Sequence, residues 1–280
     1  MKPSTIDRPE VIPRAVEHMR QNCDLDLPWF SGGDPHNGSM VIVGGGPSVL
    51  SRMDALKIRQ RNSETIVACN GANGLLRRYG VDPDIVVFVD PSEAVAGFIC
   101  GDAATDGATY LISSICHPSV FEAAKGRMVF LWHPEIPGPQ GVAQKMILDH
   151  YPYKPSSLIG GGCTGALRSL SLGYVLGFRE FHMYGVDSSY PAGGNDHAYK
   201  KHDGPEPAAM SIEFDGKFYN CSPWMVRQAD EFRFYHAQLS ALGCSIIVHG
   251  FGLLPDMSKV LNKVKRTGVP FSAQMPATIN

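Results

Sequence analysis

The sequence predicts an α/β fold: a Rossmann-like, doubly wound parallel sheet with a helical N-terminal arm and a lid-like insertion. Three observations carry it. Short apolar runs alternate with helix-length patterns from residue 40 onward, two glycine-rich turns each lead from an apolar strand into a helix, and polar or acidic residues gather at the ends of the expected strands. Strands that alternate with helices pair in parallel, and such sheets take their ligands beyond the carboxyl ends of the strands.

In chain order, residues 1–39 are rich in proline and polar groups and read as a helical arm followed by a loop. The main unit, 40–255, opens with a strand over 40–43, a helix over 48–60, a strand over 65–69, a helix over 74–79 and a strand over 85–89. Strands over 109–113 and 128–132 follow, with a short helix over 118–125 between them. A loop over 134–141 precedes another helix. The second glycine turn then leads into a helix over 164–176, which Gly177 ends, and a strand over 180–184. The stretch 188–222 is polar, glycine-bearing and aromatic, too long for an ordinary connection, and reads as a lid or insertion. A helix over 223–242 and a strand over 245–248 return to the core, and 256–280 reads as a C-terminal tail.

At 280 residues, with 44% hydrophobic and 19% charged, the chain can bury a full core in one large unit. A formal charge of −2 supplies no field for non-specific nucleic-acid binding. No apolar stretch has the length of a secretory leader or a membrane span, which points to the cytoplasm. Seven cysteines without a CxxC pair indicate a reducing compartment and no structural zinc. Cys163 stands apart, because a helix start lowers a thiol pKa.

The two turns are Gly44-Gly45-Gly46-Pro47-Ser48 and Gly160-Gly161-Gly162-Cys163-Thr164. A helix start carries unpaired N–H groups and partial positive charge, and glycine admits an anion close to that backbone. Each turn is a candidate phosphate cradle, although the first lacks both the P-loop Lys-Ser/Thr pair and the dinucleotide spacing. Pro47 suits a first helical position and Ser48 adds a hydroxyl donor. Together the turns are expected to grip one nucleotide between two halves of the sheet. The competing reading is that the glycines only allow close strand-to-helix packing.

Asn70, after the second strand, offers donors and an acceptor to a base or ribose edge, or is a turn residue beside Gly71. Asp90 and Asp187 each end an apolar run, where a carboxylate can hold Mg²⁺ on phosphates, bond a ribose, or cap the next helix. His197 lies in the insertion, close to Lys200, Lys201 and His202. Placed over the cleft it could take a proton from an acceptor hydroxyl. Arg168 and the lysines are candidate phosphate partners, and Tyr190, Tyr199, Tyr219 and Trp224 either cover a base or order the insertion.

In these residues the chain resembles the MptE-like 6-hydroxymethylpterin diphosphokinase domain and its relatives, the motility-associated Maf glycosyltransferases and the bacterial CMP-sialic-acid-dependent sialyltransferases. The ordered blocks span roughly residues 40–255. They are Val41-Ile-Val-Gly-Gly-Gly-Pro-Ser-Val-Leu50, Ala68-Cys-Asn70, Pro83-Asp-Ile-Val-Val-Phe-Val-Asp-Pro91, Gly160-Gly-Gly-Cys-Thr-Gly165 with Leu176 to Asp187, and Gly252-Leu-Leu-Pro255. The resemblance implies a nucleotide site and group transfer from a nucleotide or nucleotide-sugar donor. His197 falls where the glycosyltransferase branch carries a proposed general base. Ser156-Ser157-Leu158 stands where the sialyltransferases carry an arginine, which argues against sialic acid as donor sugar. Asp90, where that branch has asparagine, keeps a Mg²⁺-nucleotide mechanism open.

Three functions remain in play. The first is glycosyl transfer to a hydroxyl on a small-molecule or glycan acceptor, the second Mg-ATP-dependent diphosphoryl transfer to a 6-hydroxymethylpterin-like alcohol, and the third nucleotide binding without catalysis. A homo-oligomer is compatible with all three.

Overall fold

The computed structural model describes residues 12–136, 149, 158–191, 197–199 and 209–267. Its centre is a sheet built from β1 (Ser39–Val43), β2 (Thr65–Cys69), β3 (Ile85–Phe88), β4 (Thr109–Ser113), β5 (Met128–Pro134), β6 (Leu158–Ile159), β7 (Glu180–Tyr184) and β10 (Ser245–His249). The order is β10-β7-β1-β2-β3-β4-β5-β6, and every pairing is parallel. The chain winds outward from β1 to β6, then returns to the other side of β1 with β7. The switch point therefore lies between β1 and β7, where this architecture opens its ligand crevice.

Both faces of the sheet are covered, which is why central strands such as Met40-Val-Ile-Val43 are apolar without alternation. Against one face, α2 (Met53–Arg61) and α3 (Ala72–Arg78) bury Leu56, Leu75 and Leu76 on Val41, Val43, Ile66 and Tyr184. The other face carries a larger core, to which α1 (Ile12–Cys23), α4 (Pro118–Ala123), α5 (Gly165–Val175), α6 (Pro223–Ala241) and α7 (Leu253–Thr267) contribute Met19, Val120, Leu170, Phe232 and Leu254. No helix among the described residues is long and apolar enough to cross a membrane.

Three expectations are corrected. The arm is part of the core: Met19 is fully buried, Asn22 donates to the Ser114 and Cys116 carbonyls, and Trp29 bridges Leu131 beside β5. The tail does not begin at 256, because α7 continues through that point and buries Met257. The helix expected over 48–60 starts as a 3-10 turn, Pro47–Arg52, before α2. Within the insertion, β8 (Met210–Phe214) and β9 (Lys217–Cys221) form an antiparallel hairpin, tied to α7 where Lys217 and the Tyr219 hydroxyl bond Asp256. Phe214 and Cys221 of that hairpin are buried, so this part is packed structure. The helix expected after residue 141 lies outside the described residues.

Helix α5 reaches the sheet through Gly173, where a Cβ would lie 2.5 Å from Met40 Sδ and 2.6 Å from Phe181 Cε1. Both neighbours are fully buried. We expect Gly173→Leu to lose about 1–3 kcal/mol of unfolding free energy by overpacking this contact, measured by urea denaturation.

Candidate active site

The loops after β1 and β7 meet backbone to backbone. The Gly44 amide donates to the Tyr184 carbonyl at 2.8 Å and the Gly46 amide to Gly185 at 2.7 Å. A Cβ on Gly44 would lie 2.6 Å from the Gly185 carbonyl oxygen, and one on Gly46 would lie 2.8 Å from the Asp187 carboxylate. Here glycine serves close packing.

Asp187 is 4% exposed. Its carboxylate takes the Ser48 amide at 2.9 Å and the Ser48 hydroxyl. Burial pushes its pKa up to about 6, while the two Ser48 bonds act in the opposite direction. For Ser48 the sequence points to a ligand, and for Asp187 to a ligand, a metal or a helix cap. Instead they bond each other and lock the two loops, because a buried carboxylate needs donors and the start of the 3-10 turn supplies them.

Gly45 has a different environment. The Ala198 amide donates to the Gly45 carbonyl at 2.8 Å. A Cβ on Gly45 would sit 2.5 Å from the Tyr199 hydroxyl and 2.8 Å from His197 Cδ2. The structure thus brings His197 onto the first glycine turn. The Tyr199 ring lies over Gly71, edge-on to Phe98 with centroids 5.7 Å apart. Next to Gly71, Asn70 is left-handed at φ 50°, and its buried Oδ1 has no hydrogen-bond partner among the described residues. Buried polar atoms are seldom left so, and an acceptor here fits a ribose hydroxyl or a base N–H. Lys200, Lys201 and His202 lie outside the described residues.

Asp90 accepts the Ser92 amide at 2.9 Å, the local capping bond that a carboxylate before a turn commonly makes. The ends of β3 and β7 are separated by β2 and β1, three ladder spacings or roughly 14 Å. Asp90 and Asp187 therefore stand at separate strand ends, and no group of three or more His, Cys, Asp or Glu that could hold a metal occurs among the described residues.

The second turn also sits at the carboxyl edge: a Cβ on Gly165 would touch Cys69 and Val89, at the ends of β2 and β3. One stripe of α6 holds it. Gln228 donates to Thr164 Oγ1 at 2.7 Å, Glu231 takes the Cys163 amide at 2.6 Å, and the Tyr235 hydroxyl lies toward the Gly161 backbone. Gln228 also receives the Ser188 hydroxyl, linking this turn to the end of β7. A Cβ on Gly162 would collide with Leu167 and lie 2.8 Å from Glu231 Oε2. From below, the buried Arg168 guanidinium donates to the carbonyls of Ile159, Gly162 and Glu135, so it braces the turn and does not meet a phosphate.

The paired grip on one polyphosphate is therefore corrected. The anion position at Cys163 is filled by Glu231, which also pairs with Arg227. Burial and the neighbouring Glu231 carboxylate raise the Cys163 thiol well above its ordinary range, overriding the helix start. Sequence reasoning missed Gln228, Glu231 and Tyr235. Their signal is a polar stripe at spacings of three and four within a helix whose neighbouring positions, Met225, Ala229 and Phe232, are core.

The family described as 6-hydroxymethylpterin diphosphokinase MptE-like matches residues 18–193. No curated protein matches the chain. Among solved structures, the Maf glycosyltransferase from Magnetospirillum magneticum AMB-1 superposes with a TM-score of 0.61 at 17% identity, over 92% of this chain. This chain spans 42% of that protein's length. The likeness is one of fold.

Two outcomes follow from this geometry. A carboxyl whose native pKa lies above its unfolded value of 3.8 favours the native state fully at low pH, and that contribution is lost as pH rises through about 6. Between pH 4 and pH 7 the stability of Asp187→Asn should therefore gain on wild type by up to roughly 3 kcal/mol, read from paired denaturation curves. Glu231→Ala should cost about 1–2 kcal/mol, as loss of a charged bond to an amide does, without tightening nucleotide binding. A tenfold tighter nucleotide Kd in that variant would restore the second turn as a phosphate cradle.

Proposed function

The chain belongs to the 6-hydroxymethylpterin diphosphokinase MptE-like family, and we propose that it is a transferase that draws a glycosyl group from a nucleotide-activated sugar and passes it to a hydroxyl acceptor. The observation that carries the reading is the seat of His197 against Gly45, at the switch point, with Tyr199 reaching from Gly45 to Gly71, next to Asn70, whose side-chain Oδ1 has no hydrogen-bond partner among the described residues. A fold shared with a glycosyltransferase supports it.

In this reading the nucleotide lies over the ends of β1 and β2, with Asn70 accepting from its ribose or base. His197 takes the proton of the acceptor hydroxyl. The acceptor oxygen then bonds the anomeric carbon while the bond to the donor phosphate breaks, and its electron pair leaves with the nucleotide. The phosphate's growing charge faces the first turn at Gly45. Asp187 and Ser48 set the shape of that turn without touching substrate.

The family's description favours a second reading, diphosphoryl transfer from ATP to a hydroxymethylpterin-like alcohol, with AMP as product and loss of activity in EDTA. The released nucleotide separates the two, since glycosyl transfer releases a nucleoside mono- or diphosphate from a nucleotide sugar.

Titration with nucleotides and nucleotide sugars, with and without Mg²⁺, should give ligand-linked stabilisation. Asn70→Ala is expected to weaken the best ligand about tenfold, and His197→Ala to cut turnover by about a hundredfold or more while leaving nucleotide affinity within about threefold. Unaltered turnover in His197→Ala removes the base, and no stabilisation by any nucleotide removes the reading.

A further inference from the structure

A groove of about 670 Å³ opens on the far side of Tyr199, lined by Gly71, Leu75, Arg78, Phe98 and Cys100 together with Gly74, Gly97 and Gly101. Its floor is bare backbone. A Cβ on Gly97 or Gly101 would meet nothing within 4 Å, and one on Gly74 would meet only Cys100 Sγ at 3.6 Å. The walls are the Leu75 side chain and the Phe98 and Tyr199 rings, so the interior suits a flat apolar group.

Its charge is uneven. Arg77, at one side, is engaged by two acids, Asp106 at 2.6 Å, which it shares with Arg127, and Asp82 at 3.7 Å. Arg78 is exposed at the rim, donates through Nε to the Gly74 carbonyl at 3.3 Å, and makes no ion pair among the described residues. Its guanidinium therefore remains available to an acid at the groove mouth. At the inner end stands Tyr199, whose ring lies on Gly71, whose hydroxyl lies beside Gly45, and whose edge meets His197 at a centroid distance of 5.3 Å.

We propose that this groove seats the acceptor, a compound with a flat apolar body, one acidic group for Arg78 and a hydroxyl directed past Tyr199 toward His197. The acceptor role rests on the transferase reading above; the groove as a binding site does not. The bodies of donor and acceptor then lie on opposite sides of Tyr199, and the acceptor hydroxyl passes the ring to meet His197 and the anomeric carbon, the contact that direct transfer requires.

The test uses phenyl phosphate, benzoate and phenol as probes in calorimetric or ligand-observed titrations of the full chain. Phenyl phosphate and benzoate should bind saturably and more tightly than phenol, and whichever binds better tells a phosphate from a carboxylate acceptor. Arg78→Ala should weaken both acids about fivefold and leave phenol unchanged. Gly97→Leu, which fills the groove at a position with room for a side chain, should abolish binding of all three. Nucleotide affinity should stay within about twofold in both variants. Equal probe affinity in all three proteins overturns the groove as a site, and loss of nucleotide binding in Gly97→Leu assigns it to the donor and overturns the acceptor role. Wild-type protein that binds no nucleotide sinks the transferase reading and the acceptor role with it, while the probe titrations still decide the groove.

Discussion

The bond between the Asp187 carboxylate and Ser48 is the constraint on which the rest of this site depends. It closes the switch point between β1 and β7, and a third loop joins it: a Cβ on Gly250 would strike the Ser48 side chain, and the Asp187 carbonyl accepts the Leu254 amide at 3.1 Å. One residue thus fastens the exits of β1, β7 and β10. A buried carboxylate is costly when left without donors, so the three loops are held to one arrangement. The first glycine turn presents Gly45 outward only because Gly44 and Gly46 are committed inward.

The two glycine turns, alike in sequence, have different environments. In the first, one glycine remains against the insertion and carries His197 and Tyr199. In the second, a helix stripe supplies the partners that an anion would otherwise supply, with Glu231 on the Cys163 amide and Gln228 on Thr164. A glycine-rich strand-to-helix turn states that something polar approaches its backbone closely. Whether that something is a ligand or a side chain from a distant helix is settled by packing, and here Glu231 lies 68 positions from the amide it holds.

Much of the fold was legible because periodicity is a local property. Continuous apolar runs such as Ile85-Val-Val-Phe88 read as strands buried on both faces, and the glycine after α5 and the proline at the start of α6 mark helix ends. The arm and the tail were misread since their own composition is polar and proline-rich, while their burial depends on what they meet. Met19 and Met257 are core residues only because β-strand and helix surfaces far along the chain are there to cover them.

At the site, the sequence by itself determined which groups lie at the carboxyl edge of the sheet: Gly45, Asn70, Asp90, Asp187 and the second turn all follow strand ends, and strand direction puts them on one side. Tertiary structure alone decided their use. Strand order put Asp90 and Asp187 three strands apart, burial turned Asp187 inward onto Ser48, and the folding back of the insertion laid His197 on Gly45. Chemical identity is written residue by residue, whereas distance, burial and partner are properties of pairs brought together from far apart in the chain, and no single segment carries them.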